Sequence, residues 1–409
     1  MTAISLGHWL SYLPLGVIAI LSWGIWIVRT TMSHRATPIV TDYSTTTSVV
    51  VPVYREDPEI LALCLDTWIA AGPTEIILVV DTGDDDCLAM LEARHLPASV
   101  AVHPFVHTGK RSALGEGIRR ATSEIAILVD SDTAWTSGLL ATVQMPFADP
   151  WVGAVGTRQR VAGQRSSVWR RVASWLLDVR YCDYTPAMGA RGSVPCVSGR
   201  TAAYRRELIV PMLPDLEHEV FLGKECVAGD DGRLTWLVLA SGHTTVQQSE
   251  AIAYSMFPDT LRGFVRQRTR WSRNSYRCYL TAMRRGWLWQ QALITQITVL
   301  QILLTPITMG VAMFCLVRAV SIHTPAIAWL FIAWALVGRG IRGISHLREH
   351  PRDLVLLPLV LVTIVFISLP LKAFAFVTMN RQGWLTRRED RLGGEGQTRA
   401  TLLGNEIDS

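Results

Sequence analysis

An α/β domain built on a mostly parallel sheet, joined to helices fit for a bilayer, is the fold class that this 409-residue sequence predicts. Three observations carry the prediction. From Thr45 to Ser255 short β-branched runs alternate with amphipathic stretches, the pattern of strands linked by crossover helices. From Trp9 to Val28, and in three blocks between Leu288 and Val377, the chain is apolar over lengths suited to a membrane core. Acidic residues stand at the ends of the strand-like runs, where open α/β sheets collect their ligands.

Composition narrows the function. With 49% apolar residues and a formal charge of +5, the length allows two to three structural units and a substantial core. The arginines sit beside apolar blocks, a distribution that points to a lipid surface and away from nucleic acid. Seven cysteines (Cys64, Cys87, Cys182, Cys196, Cys226, Cys278 and Cys315) are scattered without a CxxC pair. That usage predicts reduced thiols in a cytosol-facing protein, with no disulfide and no zinc among them.

Taken in order, the run Trp9 to Val28 is followed by Arg29, His34 and Arg35 and reads as a membrane helix with its C-terminal end inside. A signal peptide would need a basic stretch before the run and a small-residue cleavage site, and the sequence offers neither clearly. The expected strands are Ser48–Val53, Glu75–Asp81, Val100–Phe105, Ile125–Asp130 and Val152–Gly156. They place Tyr54, Asp81 and Asp130 at strand ends. Ser166 to Tyr184 spaces Trp169, Val172, Leu176 and Val179 three and four apart among charged residues, as either an interfacial helix or an ordinary surface helix. Asp259 to Arg285, with eight arginines and one acid, reads as an amphipathic helix in a membrane interface.

The C-terminal apolar blocks are Leu288–Val317, Pro325–Val337 and Leu354–Val377. Ala319 to Thr324 carries no Lys or Arg, whereas Arg339 to Arg352 carries four arginines, which puts the first connection outside and the second inside. Pro358, Pro370 and Lys372 interrupt the third block, and the basic tail Arg381 to Arg391 also belongs inside, so a re-entrant or partly interfacial pair of short helices is expected there. Gln291, Thr295, Thr298, Gln301, Thr305 and Thr308 form a polar stripe along the first block. It is read either as bonding between helices or as the wall of a pore for a hydroxyl-rich polymer. The chain thus divides into a membrane helix and linker (1–44), a catalytic domain (45–255), an interfacial helix (256–286), membrane or re-entrant helices (287–380) and a cytosolic tail (381–409).

Chemistry concentrates in three places. Asp130 and Asp132 flank Ser131 at a strand end, and paired carboxylates with open positions suit Mg²⁺ or Mn²⁺ holding a diphosphate, although such a triplet also serves as a turn. Asp230 and Asp231 precede a helix-like stretch, as N-terminal caps or as a general base for a sugar hydroxyl. Gln267, Arg270 and Trp271 stand at i, i+3 and i+4, so an amide, a guanidinium and an indole share one helix face, a set that suits a sugar diphosphate.

In order and spacing these motifs resemble the membrane-embedded processive family 2 glycosyltransferases with a GT-A catalytic domain, most closely hyaluronan synthases, over nearly the whole chain. VPVYRED (Val51 to Asp57) and VVDTGDDD (Val79 to Asp86) are similar to the nucleotide-binding stretches, which implies uridine contacts for Tyr54, Glu56 and Asp81. GKR (Gly109 to Arg111) resembles the lysine loop, placing Lys110 at the nucleotide, and VDSDT (Val129 to Thr133) the metal-binding DxD at Asp130 and Asp132. GDDGRLT (Gly229 to Thr235) is similar to the GDD element, whose last aspartate, here Asp231, acts as base. QRTRW (Gln267 to Trp271) matches QxxRW and implies donor contact for Arg270 and acceptor contact for Gln267 and Trp271, together with Ser198 and Gly199. GWLTRR (Gly383 to Arg388) resembles a gating loop with Trp384 and Arg387 in the matching places. Two departures stand out: Arg200 follows Ser198-Gly199 where the family usually has proline, and Gly232 intervenes before Arg233.

The resemblance implies an inverting, metal-dependent (Mg²⁺ or Mn²⁺) synthase in the cell membrane. It would be multi-pass with a cytosolic catalytic domain, take UDP-sugars, secrete a growing polysaccharide of hyaluronan type and need no obligatory protein partner. Synthesis of a chitin-like, cellulose-like or capsule polymer, and non-processive transfer to a lipid carrier, are the alternatives. A scaffold that has lost its chemistry is disfavoured by the intact Asp130, Asp132 and Asp231.

Overall fold

Ten strands appear in the computed structural model, which describes residues 17–106, 108–321, 325–381 and 399–407. They are β1 (Thr47–Val53), β2 (Glu75–Asp81), β3 (Val100–Phe105), β4 (Ile125–Val129), β5 (Thr133–Trp135), β6 (Val152–Val161), β7 (Thr201–Arg205), β8 (Val220–Phe221), β9 (Lys224–Glu225) and β10 (Thr244–Ser255). β8 and β9 pair only with each other, and the rest form one sheet in the order β3-β2-β1-β4-β7-β6-β10-β5. β1 lies parallel to β2 and β4, β2 to β3, and β6 to β10. β7 runs antiparallel between β4 and β6, and β5 antiparallel to β10 at an edge.

The strands read as continuous apolar runs because both faces of the sheet are covered. Val49, Val51 and Val53 of β1 point into one core with Ile76, Leu78, Ile125 and Ile127, against α2 (Pro58–Ala71) and α3 (Asp85–Ala93). Val50 points the other way with Ile77, Val79, Ala126 and Leu128, against α4 (Lys110–Arg120) and, further along the chain, Leu234 and Val238. Side-chain alternation in the strands thus builds two cores, one per face.

The helical elements beyond α1 (Val17–Arg35) and α2 to α4 include α5 (Val168–Asp183), α6 (Asp230–Ala240), α7 (Leu261–Arg284), α8 (Leu293–Ser321), α9 (Pro325–Arg342), α10 (Ile344–Glu349), the helical run α11 (Pro351–Val377) and α12 (Arg399–Ile407). Among the described residues two stretches are long and apolar enough to cross a membrane, Leu293–Cys315 and Pro351–Val377. Leu304, Ile307, Phe314, Phe366 and Val377 on them are exposed.

One expectation changes here, and two readings that the sequence left open are narrowed. Pro358 and Pro370 do not open the last block into separate short helices: each takes a first-turn position, where a missing N–H costs nothing, and a π-helical segment, Thr363–Ser368, carries the run through. The segment Ser166 to Tyr184 offers no free basic face to an interface, because α5 is enclosed among Phe257, Phe264, Leu356 and Val360, and its charges are taken up internally, Arg171 by Asp353 and Asp178 by Arg158. The polar stripe on α8 bonds within the protein: Arg29 of α1 donates to Thr298 Oγ1 (3.3 Å) and Gln301 Oε1 (3.0 Å), Thr295 meets Ser193 (2.7 Å), and Thr305 turns back on its own helix. The gating-loop residues Trp384 and Arg387 lie outside the described residues.

Candidate active site

A cleft opens at the C-terminal ends of β1 and β4, where the sheet topology directs ligands. Tyr54 and Glu56 come from the turn after β1, Asp130, Ser131 and Asp132 from the turn after β4, and Lys110 from the start of α4. Ser198, Gly199 and Arg200 precede β7, and Asp230 and Asp231 open α6. Gln267, Arg270 and Trp271 line the facing wall from α7, so the i, i+3, i+4 face is realised. Asp81 ends β2 and is not among the residues lining the cleft.

Lys110 holds the two acidic turns together, its Nζ 2.8 Å from Asp130 Oδ1 and 2.9 Å from Asp230 Oδ2. Burial alone would lower its pKa, but the two carboxylates outweigh burial and raise it, so the ammonium stays charged. Asp231 stands beside this pair. Its Oδ1 accepts from the Gly232 N–H at 2.8 Å and its Oδ2 lies 3.7 Å from the Cys196 thiol. Burial and Asp230 raise the Asp231 carboxyl from its ordinary value, with Lys110 acting in the opposite direction. Burial and Asp231 push the Cys196 thiol up in turn, which keeps its proton available to the carboxylate.

The backbone gives these groups room. A Cβ at Gly199 would stand 3.4 Å from Asp230 Oδ2 and 3.5 Å from both Asp231 Cβ and Lys110 Nζ, so any side chain there would fill the space over the carboxylates. Gly229 has φ of +85°, a conformation that other residues adopt at a cost, and it turns the chain into α6. The carbonyls around it are gripped by arginines: Arg111 donates to Ala228 O (3.0 Å) and Gly229 O (3.2 Å), and Arg277 of α7 to Ala228 O (3.1 Å) and Met379 O (2.8 Å).

Two of the cleft's side chains have neighbours that the sequence did not mark. Glu56 is buried as a brace for the DxD turn: its Oε2 accepts from Ser131 Oγ at 2.7 Å and its Oε1 from the Asp57 N–H at 3.0 Å. Trp271 is flanked by cations, with the Arg200 and Arg268 guanidinium carbons 5.1 and 5.2 Å from its ring centroid. The sequence names Cys196 only among the scattered cysteines and Arg111 only as the end of the GKR motif, and it leaves Arg277 unmarked, so the roles of these three side chains were not read from it. Asp130 and Asp132 offer oxygen alone, with Asp130 facing the cleft, a donor set that suits a hard dication such as Mg²⁺ or Mn²⁺.

Comparison with known proteins agrees with this geometry. The family model described as "Glycosyltransferase like family 2" matches residues 45–274. An N-acetylglucosaminyltransferase of Rhizobium sp. (strain N33) is 31% identical over 357 residues, 83% of this chain and 76% of its own length. One from Rhizobium meliloti (strain 1021) is 31% identical over 372 residues, 86% of this chain and 84% of its own. Among solved structures, the mannosyltransferase PcManGT from Pyrobaculum calidifontis, in complex with GDP-Man and Mn²⁺, superposes with a TM-score of 0.64 over 91% of this chain and 99% of that one, at 19% identity. That likeness establishes a GT-A-like fold.

Proposed function

The chain belongs to glycosyltransferase family 2, and on that basis we propose that it transfers N-acetylglucosaminyl units from a UDP-activated donor to a growing saccharide, with inversion at the anomeric carbon. The observation that carries this reading is the convergence of Asp130 and Asp230 on Lys110, with Asp231 beside them, in a cleft walled by Gln267, Arg270 and Trp271. The acceptor hydroxyl attacks the anomeric carbon and gives its proton to Asp231 as the new C–O bond forms. The bond to the diphosphate breaks on the opposite face, and Arg270 and Lys110 stand where they can meet the departing charge. A dication at Asp130 and Asp132 would supply further neutralisation of that charge.

The relatives' names support the N-acetylglucosaminyl unit. Arg200 favours a second reading, a hyaluronan-type polymer, because a guanidinium on the acceptor wall suits a sugar that carries a carboxylate. Under either reading the helices anchor the protein in the cell membrane with the catalytic domain in the cytosol. A secreted product would need a route other than the Thr298 and Gln301 face, which Arg29 occupies.

Supplying purified protein with UDP-GlcNAc alone, and then together with UDP-glucuronate, tests both. UDP release and chitinase-sensitive oligomers from the single donor support the first reading. Product only from the pair, sensitive to hyaluronidase, supports the second, and no UDP release from any UDP-sugar sinks the proposal. Asp132→Asn should weaken donor binding and move the Mn²⁺ titration of activity to higher concentration, and an unchanged titration counts against a metal at that turn.

A further inference from the structure

Away from the cleft, Asp178, His346 and His350 form a cluster of metal-ligating side chains among the described residues, each offering one ligand atom within 4.8 Å of the others. Asp178 comes from α5 in the catalytic domain, His346 from α10, and His350 from the residue joining α10 to α11. His346 is fully buried, with Nδ1 2.8 Å from Asp178 Oδ2 and Nε2 3.0 Å from Asp353 Oδ2. Trp175 covers its ring at a centroid distance of 5.0 Å, and the His350 ring stands at 5.0 Å as well. Arg171 fixes Asp353, and Arg158 donates to Asp178 Oδ1 at 3.3 Å.

An imidazole held between two carboxylates sets a problem of charge. An ionised carboxylate only accepts, and a neutral imidazole has one N–H to give, so one of the two contacts needs a further cation, either a second proton or a metal ion. The surroundings favour the metal. The side chain of His350 has no hydrogen bond or ion pair with a described residue, yet it brings a ring nitrogen within 4.8 Å of the ligand atoms of Asp178 and His346. Asp353 stands on the far nitrogen of His346, as outer carboxylates do behind metal-bound histidines, where they fix the tautomer and the ring plane. Two imidazoles and one carboxylate suit zinc and its neighbours, whereas the oxygen-only Asp130 and Asp132 suit Mg²⁺ or Mn²⁺.

We propose that Asp178, His346 and His350 bind a Zn²⁺-class ion that clamps the catalytic domain to the turn ahead of the last long apolar helix, with Asp353 as the residue that positions His346. The site is independent of the sugar-transfer chemistry and can be tested apart from it.

The test uses the full-length protein in detergent, loaded with Zn²⁺, dialysed against buffer containing excess Mg²⁺, and assayed for bound metal by elemental analysis; Co²⁺ loading gives a visible d–d spectrum as a second readout. The parent and Asp130→Asn should each retain about one zinc per chain, while His350→Ala should lose it and Asp353→Asn should bind it about 10- to 100-fold more weakly. Zinc should raise the melting temperature of the parent and not of His350→Ala, and equal melting of the two in chelator shows that the variant folds. A parent that holds no zinc overturns the proposal. Zinc retained in His350→Ala, or lost in Asp130→Asn, overturns it equally.

Discussion

Burial and Asp230 raise the Asp231 carboxyl while Lys110 restrains it, and this opposition fixes how the reaction should respond to pH. A general base works only when deprotonated, so kcat should fall as pH falls through that raised pKa, above the ordinary carboxylate value of about 4. Lys110→Gln removes the restraining cation and should move the acidic limb of the kcat profile to still higher pH; a limb that stays in place would contradict the coupling. Asp231→Asn keeps the shape but not the base, and should lower UDP release by ~10²-fold or more while a calorimetric titration still detects donor binding. Asp130, Asp132, Asp230 and Asp231 were legible in the sequence because each pair follows or precedes a patterned segment. The role of Cys196 and the bracing role of Glu56 were not, since each depends on a contact between distant turns, Cys196 with Asp231 and Glu56 with Ser131.

At the level of elements, β1 to β4 and β6 were legible from β-branched density. β7 (Thr201–Arg205) and β10 (Thr244–Ser255) were not, because the first is short and rich in alanine and the second is largely polar, and sheet pairing overrides such weak local preference. The α8 stripe shows the converse, a clear period with two physical meanings. With Arg29 bonded to Thr298 and Gln301, the combined replacement Thr298→Val, Gln301→Leu and Thr305→Val leaves a buried guanidinium short of acceptors, at a cost of about 1–3 kcal/mol. The expected outcome is a lower melting temperature with product length unchanged; shorter product at unchanged melting would return the stripe to the path of the polymer.

For the whole molecule, the α/β domain and the long apolar stretches Leu293–Cys315 and Pro351–Val377 could be read because strand alternation and long apolar runs are dense signals. The identity of the product could not, because no motif encodes the acceptor. Leu304, Ile307, Phe314 and Phe366 lie exposed on the two longest apolar stretches, so the chain should stay with the membrane fraction through an alkaline wash and leave it only in detergent. Recovery in the wash would contradict membrane insertion.

The arginine grip on the Gly229 turn bears on mutational tolerance. Arg111 and Arg277 hold Leu216, Ala228, Gly229 and Met379 by their main-chain oxygens, which every amino acid carries. Three of the gripped positions, Leu216, Ala228 and Met379, are therefore free to drift as far as packing allows, whereas the two arginines are not. A deep mutational scan would find the constraint on the Gly229 turn recorded at residues 111 and 277, more than a hundred positions apart in the chain.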